Sequence, residues 1–292
     1  MKHIACNLCG ADSPQFLAQT PDGRRVHECP ECGFVYVTPV PDPGELLQTH
    51  DQGYYDSMVG ESYESLLDKK RREWRELFSE LARRVEPGPM VEVGCGRGYC
   101  SALARGLGWM PIGVDIARED VEFARREHQL GVKHGGLADA QFVDARFHAV
   151  VMWSVIEHLA VPRETVREAF RILKPGGVIT VSTCNVRSAE AREAGGQWRY
   201  FTLPGHLCFF SPSTLRRLLE ETGFEVETVS GGVAFKSRGM NALKSAAKFF
   251  IRWFMTPEAA ARIKRRAVRA VAGDNAADES AGENFIVYAR KP

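Results

Sequence analysis

Three groups of residues in this 292-residue chain have the types and spacing to do chemistry. The first is Met90-Val91-Glu92-Val93-Gly94-Cys95-Gly96-Arg97-Gly98, an apolar strand that carries a carboxylate and ends in a G-x-G-x-G turn. Alternate glycines let bare backbone approach a ligand and take positive φ. Seventeen residues after Gly98, Asp115 closes a second apolar strand, Pro111-Ile112-Gly113-Val114-Asp115. A carboxylate there can accept hydrogen bonds from two ribose hydroxyls. A dinucleotide fingerprint reads G-x-G-x-x-G and seats a pyrophosphate on the next helix. Here the third glycine comes one residue early, and Glu92 would repel pyrophosphate while helping to hold a cationic amino-acid head. The expected ligand is a nucleoside that carries a cation.

The second group is two C-x-x-C-G turns, Cys6-Asn7-Leu8-Cys9-Gly10 and Cys29-Pro30-Glu31-Cys32-Gly33, with nineteen residues between Cys9 and Cys29. That spacing fits a four-cysteine zinc ribbon, with Cys6, Cys9, Cys29 and Cys32 as ligands. Strand-like pieces lie between and after the pairs, at Gln15-Phe16-Leu17, Arg24-Arg25-Val26-His27 and Phe34-Val35-Tyr36-Val37. Four thiolates leave no open coordination position, so the expected metal is structural, supplying folding energy to a segment too short to form its own core.

The third group is acid–base. Glu157 and His158 follow the apolar run Phe147–Trp153, and His206 lies in a long connection, residues 184–212. Histidine suits proton removal because its unperturbed pKa is near neutrality. His158 is the first candidate base, Glu157 can orient its ring, and His206 is the second candidate. The competing readings are a helix cap for Glu157-His158 and a structural hydrogen bond for His206. Gln197, Trp198, Tyr200 and Phe201 make residues 184–212 an expected acceptor lid. Tyr54 and Tyr55, in a polar loop, are candidates to cap the same pocket, with plain packing the alternative. Cys95 and Cys100 flank the glycine turn with no partner base and read as small packing residues.

From Met90 onward strands and helices alternate. Strands are expected at 90–93, 112–115, 132–134, 149–153, 177–183, 224–230 and 284–289, and helices at 100–107, 118–129, 163–173 and 213–221. Such alternation gives an α/β doubly wound, mainly parallel sheet whose ligands bind at the strand C-termini. A further helix is expected near 62–84, behind a linker stiffened by Pro39, Pro41 and Pro43. The expected division is a ribbon over 1–38, a linker and helical cap over 39–87, and a core over 88–292. No run of eighteen apolar residues and no secretory apolar segment appears, so a cytoplasmic chain with reduced cysteines is expected.

Net charge is +1, but residues 236–272 hold ten Lys/Arg and one acid, leaving −8 on the remainder. So acidic a body argues against broad nucleic-acid binding. Leu243, Ala246, Ala247, Phe250, Trp253 and Phe254 fall on one helical face of that basic stretch. Such a helix can rest peripherally on an anionic membrane face, reach a lipid-linked or phosphate-bearing acceptor, or simply pack.

Residues 88–230 resemble the class I S-adenosylmethionine (SAM) methyltransferases. The glycine turn resembles their motif I. Gly135-Gly136-Leu137-Ala138-Asp139 resembles the segment flanking adenine, Phe147–His158 the fourth strand with its Glu-His loop, and Leu173-Lys174-Pro175-Gly176-Gly177 the turn before strand five. His148 and Ser154 depart from the family's usual Asp. The resemblance implies a Rossmann-like seven-stranded sheet with strand seven antiparallel between strands five and six, a role suited to Glu283–Arg290. It also implies a cofactor set of Glu92, Gly94, Cys95, Gly96, Gly98, Asp115, Ile116, Leu137, Ala138 and Trp153. The subset that joins a zinc ribbon to this core methylates small acceptors such as sugars, natural products and quinone-like compounds. The expected activity is therefore methyl transfer to O or C of a small molecule. An RNA methyltransferase and a SAM-binding protein without turnover are the alternatives.

Overall fold

In the computed structural model, residues 2–41, 63–203, 205–231 and 282–292 are described. Tyr54, Tyr55 and the basic stretch 236–272 lie outside them.

The first sheet is built from the cysteine segment. Strands β1 (Gln15–Gln19), β2 (Arg25–Glu28) and β3 (Val35–Val37) pair antiparallel in that order. Helix α1 (Tyr63–Ala82) follows, and its apolar spacing does what the sequence predicts: Leu67, Trp74, Leu77, Phe78 and Leu81 are buried.

The second sheet comes from the alternating region: β4 (Pro89–Val93), β5 (Met110–Asp115), β6 (Gly131–His134), β7 (Phe147–Trp153), β8 (Leu173–Cys184), β10 (Glu225–Gly231) and β11 (Asn284–Arg290). Its order is β10-β11-β8-β7-β4-β5-β6, with β11 antiparallel to both neighbours and β4 to β8 mutually parallel. The expected inversion of the last strand is present. Helices α2 (Tyr99–Gly106), α3 (Arg118–His128) and α4 (Pro162–Ile172) form the crossovers. In the central strand β7, Ala149, Val150, Val151 and Met152 are all fully buried. A strand covered on both faces needs a continuous apolar run rather than alternation, and this run made it legible. Among the described residues no helix is long and apolar enough to cross a membrane.

Two features differ from expectation. The LKPGG segment is not a free turn: Leu173 pairs with Phe147 and Val178 with Ala149, so the residues between form a bulged start of β8. The 184–212 connection is not an open loop. It holds α5 (Ala189–Ala194), a 3₁₀ turn (Gly195–Gln197), α6 (Arg199–Thr202) and a two-residue strand, β9 (Cys208–Phe209), ahead of α7 (Pro212–Glu220). Strand β9 pairs with β3, Val35 with Phe209 and Tyr36 with Cys208, so the core contributes the fourth strand of the cysteine-bearing sheet. One consequence follows from the second: the cysteine-bearing segment packs directly on the core. Phe34 meets Phe210 at 4.9 Å between ring centroids, and one apolar cluster runs from Leu8 and Val26 through Phe209 to Val150 and Val287. A segment of this size buries too little surface alone, and it borrows the core's. Polar clamps secure the seam: Arg163 Nε donates to Asn7 O at 3.1 Å, Asn7 Nδ2 to Ala160 O at 2.8 Å, and Arg187 Nη2 to Glu28 Oε1 at 2.5 Å.

Because Phe210 fills the seam, Phe210→Ala should cost about 3–5 kcal/mol. The loss should appear as one shifted calorimetric transition. Two separated transitions would contradict a shared core.

Candidate functional site

The site lies at the C-terminal edge of the parallel strands. After β4, Gly94 has φ +66° and Gly98 φ +79°, both left-handed. A Cβ on Gly94 would sit 2.5 Å from Val155 Cγ2, and one on Gly98 2.7 Å from Leu130 Cδ1 and 2.9 Å from Ala124 Cβ. The turn is therefore glycine for two reasons at once, backbone conformation and lack of room. Asp115, at the end of β5, accepts the Gly96 N–H on Oδ2 at 2.7 Å and the Ala117 N–H on Oδ1 at 2.8 Å. Each oxygen keeps acceptor capacity, because a carboxylate offers about four lone-pair sites. An oriented carboxylate beside a bare-backbone turn fits a ribose diol.

Glu92 is not on the surface of this turn. It is 3% exposed, beneath it, and Ser101 Oγ donates to its Oε2 at 2.5 Å. Burial pushes its carboxyl up to about 7, against hydrogen bonds from Ser101 and Cys100 that favour the anion and with a smaller push from Asp115. Any interaction with a cationic head is that of a buried charge under the cradle. Burial also pushes the Cys95 and Cys100 thiols up, so neither is a nucleophile near neutrality.

The other expected cofactor residues surround this edge. Ile116 is exposed, and its carbonyl meets His134 Nε2 at 3.1 Å. Ala138 is exposed, whereas Leu137 is buried in the core. Trp153 ends β7 half-buried, beside Ser154 at φ +53°. That left-handed backbone tolerates Asp more readily than most residues, which rationalises the family preference from which Ser154 departs. His148, the other departure, bonds Glu86 O through Nδ1 at 2.9 Å, a structural role.

The acid–base residues converge. Glu157 and His158 occupy a 3₁₀ turn (Ile156–His158) after β7, and His206 arrives from the 184–212 connection. One donor atom from each of the three lies within 4.8 Å of the others. The two imidazoles meet edge-on, centroids 4.6 Å apart. His158 Nδ1 faces Gly205 O at 3.1 Å; a carbonyl only accepts, so Nδ1 carries the proton and Nε2 is the basic nitrogen. Glu157 is 3% exposed, accepts from Thr183 Oγ1 at 2.9 Å, and is pushed by burial up to about 7. Tyr200 stacks on His206 at 5.8 Å and donates its hydroxyl to Asn284 Oδ1 at 2.9 Å. Trp198, expected as a pocket wall, is 1% exposed and packs edge-on against both Tyr200 and Phe201. It forms the backing of the His206 segment in this structure.

The four cysteines also converge. Cys6 and Cys32 sulfurs are 3.5 Å apart and Cys9 and Cys29 sulfurs 3.4 Å, all four within 4.8 Å of one another and none in a disulfide. A tetrahedron of thiolates about 2.3 Å from zinc has edges of about 3.8 Å, so the cluster suits that ion. The Cys32 hydrogen bond, with backbone amides beyond it, holds the Cys6 thiol down to about 5.

Ser101, Thr183 and Arg24 support the site without a sequence signal that points to it. Ser101 and Thr183 look like ordinary helix and strand residues. No local pattern pairs them with carboxylates nine and twenty-six positions away. Arg24 has only the sequence context of a strand residue, yet it donates to the carbonyl of His206 across 182 positions.

Comparison with known proteins agrees with this geometry. A family described as a methyltransferase domain matches residues 66–229. A probable S-adenosylmethionine-dependent methyltransferase of Mycolicibacterium smegmatis is 34% identical over 157 residues, covering 53% of this chain and 59% of the relative. This chain therefore spans less than two thirds of that relative's length. The ubiquinone biosynthesis O-methyltransferase of Thiobacillus denitrificans is 26% identical over 176 residues, 55% of this chain and 73% of the relative. Among solved structures, a SAM-dependent methyltransferase from Thermotoga maritima, described as a possible histamine N-methyltransferase, superposes with a TM-score of 0.55 at 19% identity, covering 85% of this chain and 99% of that one. A complex of a putative methyltransferase with the Haloferax volcanii Trm112 activator gives 0.54 at 21% identity, over 87% and 99%. At such identities the structural likeness is one of fold.

Glu92 makes stability depend on pH. Its folded-state pKa of about 7 exceeds the ordinary value of 4.5. Below the lower value both states hold the proton. As pH rises, the unfolded chain releases it first, so stability falls between the two values and stays lost above the higher. The full effect is at most about 3 kcal/mol. Urea midpoints at pH 5 and pH 8 should therefore differ less in Glu92→Gln than in the parent. An unchanged difference would place the titration elsewhere.

Proposed function

The chain belongs to the class I SAM-dependent methyltransferase family, and from that premise we propose that it methylates an oxygen or carbon of a small-molecule acceptor, with His158 removing the acceptor's proton. The single observation carrying this reading is the convergence of Glu157, His158 and His206 at the strand edge. Val155, in the same loop, packs against Gly94 of the glycine turn. The relatives named for O-methylation in ubiquinone biosynthesis support oxygen as the acceptor atom.

Asp115 would take the ribose hydroxyls, and Gly94 to Gly98 would lie against the nucleoside with no side chain between. When bound, SAM supplies a methyl group already activated on a sulfonium, so alignment carries much of the rate. The protein's own work is to orient the acceptor and hold its proton. His158 Nε2 takes that proton, and the Gly205 carbonyl keeps the ring in the required tautomer. The resulting imidazolium has the buried Glu157 carboxylate beside it as counter-charge. His206 and Tyr200 wall the acceptor side. Cys6, Cys9, Cys29 and Cys32 would hold a zinc ion with four thiolates, and such an ion would serve the fold of this segment.

His158→Ala should lower turnover by at least about a hundredfold, while calorimetric SAM affinity stays within about twofold. Equal turnover in mutant and parent across pH 6–9 would overturn the base assignment. Asp115→Ala should weaken SAM at least about tenfold, since it removes the ribose acceptor and unties the Gly96 amide; parental affinity would refute the ribose role. The acceptor itself is found by transferring labelled methyl into cell extract and identifying the product by mass spectrometry.

A further inference from the structure

We infer that the cysteine ribbon is a working part of the acceptor side, and that Arg24, a ribbon residue, is the positioning residue for His206. This rests on the reading of His206 given above.

Arg24 immediately precedes β2 and is 8% exposed. Its guanidinium uses all three nitrogens. Nε donates to Asp22 Oδ2 at 2.8 Å, Nη1 to His206 O at 2.7 Å, and Nη2 to Leu203 O at 3.0 Å. The two carbonyls are that of His206 itself and that of the residue three positions before it. A planar fork with fixed donor directions holds such a pair at a set separation, which a lysine ammonium cannot do. Asp22 orients the fork and itself accepts from Thr20 Oγ1.

The same short segment is held from the opposite side by the core. Leu207 N donates to Glu157 O at 2.7 Å, and Gly205 O faces His158 Nδ1 at 3.1 Å. Leu207 O in turn accepts from Val37 N of the ribbon at 2.8 Å, where β9 begins its pairing with β3. Leu203 and residues 205–207 are thus the parts of a strap held from two sides. Ribbon atoms bind His206 O, Leu203 O and Leu207 O; the Glu157-His158 turn binds Leu207 N and Gly205 O. The 4.6 Å spacing of the two imidazoles is set by both grips. A helix or strand of the core alone does not place His206; the ribbon side chain completes the placement. Rates of positioned reactions fall steeply with misplacements of about an ångström, so slackening this strap should be felt in the chemistry and not in cofactor binding, whose glycine turn and ribose acceptor Asp115 lie at the ends of β4 and β5.

The test uses the full zinc-loaded chain with Arg24→Met and Arg24→Lys. Zinc content, SAM affinity by calorimetry, and the ring proton resonances of His158 and His206, assigned from His158→Ala and His206→Ala, are measured. Turnover is followed on the acceptor found by the label screen. Arg24→Met should keep one zinc and a SAM Kd within about twofold. It should shift the His206 resonance and its titration midpoint and lower kcat at least about tenfold, with a smaller change in KM. Arg24→Lys should recover only part of both effects. An Arg24→Met chain that retains zinc and has parental His206 resonances and kcat overturns the inference. If Arg24→Met loses zinc or fails to fold, Asp22→Asn, which leaves the guanidinium but removes its orienting partner, is read by the same criteria. A His206→Ala chain with parental kcat would instead fail the reading of His206 as a wall of the acceptor side, while the resonance shift in Arg24→Met still decides the positional coupling.

Discussion

The structure depends on one constraint: the N-terminal cysteine segment has too little apolar surface to bury by itself, so it must share the core's. Val26, Val35, Tyr36 and Val37 are fully buried, yet what covers them includes Phe209, Phe210 and Leu207 from a connection that leaves β8 and returns to α7. The connection accordingly serves two sheets. Arg199 and Tyr200 tie it to the start of β11 through Glu283 and Asn284, and β9 ties it to β3. A segment bound from both sides in this way holds His206 in a fixed place.

The second theme is charge held without water. Glu92 and Glu157 each lie at or just past the end of a central strand, buried, and each is pushed up to about 7 chiefly by that burial. Each has one hydroxyl partner, Ser101 or Thr183, which lessens the cost without removing it. Two carboxyls kept near their midpoint at one edge of a sheet are a destabilising arrangement for folding. Such expense is usual where function, rather than packing, selects the residue.

The glycine turn joins these two themes. Gly94 yields room to Val155, and Val155 is two residues from Glu157; Gly98 yields room to Ala124 and Leu130 of the neighbouring crossover. The glycine turn and the Glu157-His158 turn are therefore packed against each other through one side chain. Asp115 closes the same edge by binding the Gly96 amide.

What the sequence determined by itself was whatever short-range physics writes locally. The unbroken apolar run at 149–152 marks a central parallel strand, Gly94, Gly96 and Gly98 mark the turn, two C-x-x-C-G knuckles mark four thiolates, and the helical spacing of Leu67, Trp74, Phe78 and Leu81 marks α1. Even the pairing of Asp115 with the turn was legible, because adjacent parallel strands place their ends side by side. Only the tertiary structure decided which distant groups meet: Arg24 with His206, Thr183 with Glu157, β9 with β3, and the depth of Glu92 and Trp198. Hydrogen bonds across such separations leave no periodic trace in the chain. They depend on how the cysteine-bearing segment docks, and docking is a property of the whole buried surface, to which no single residue pattern corresponds.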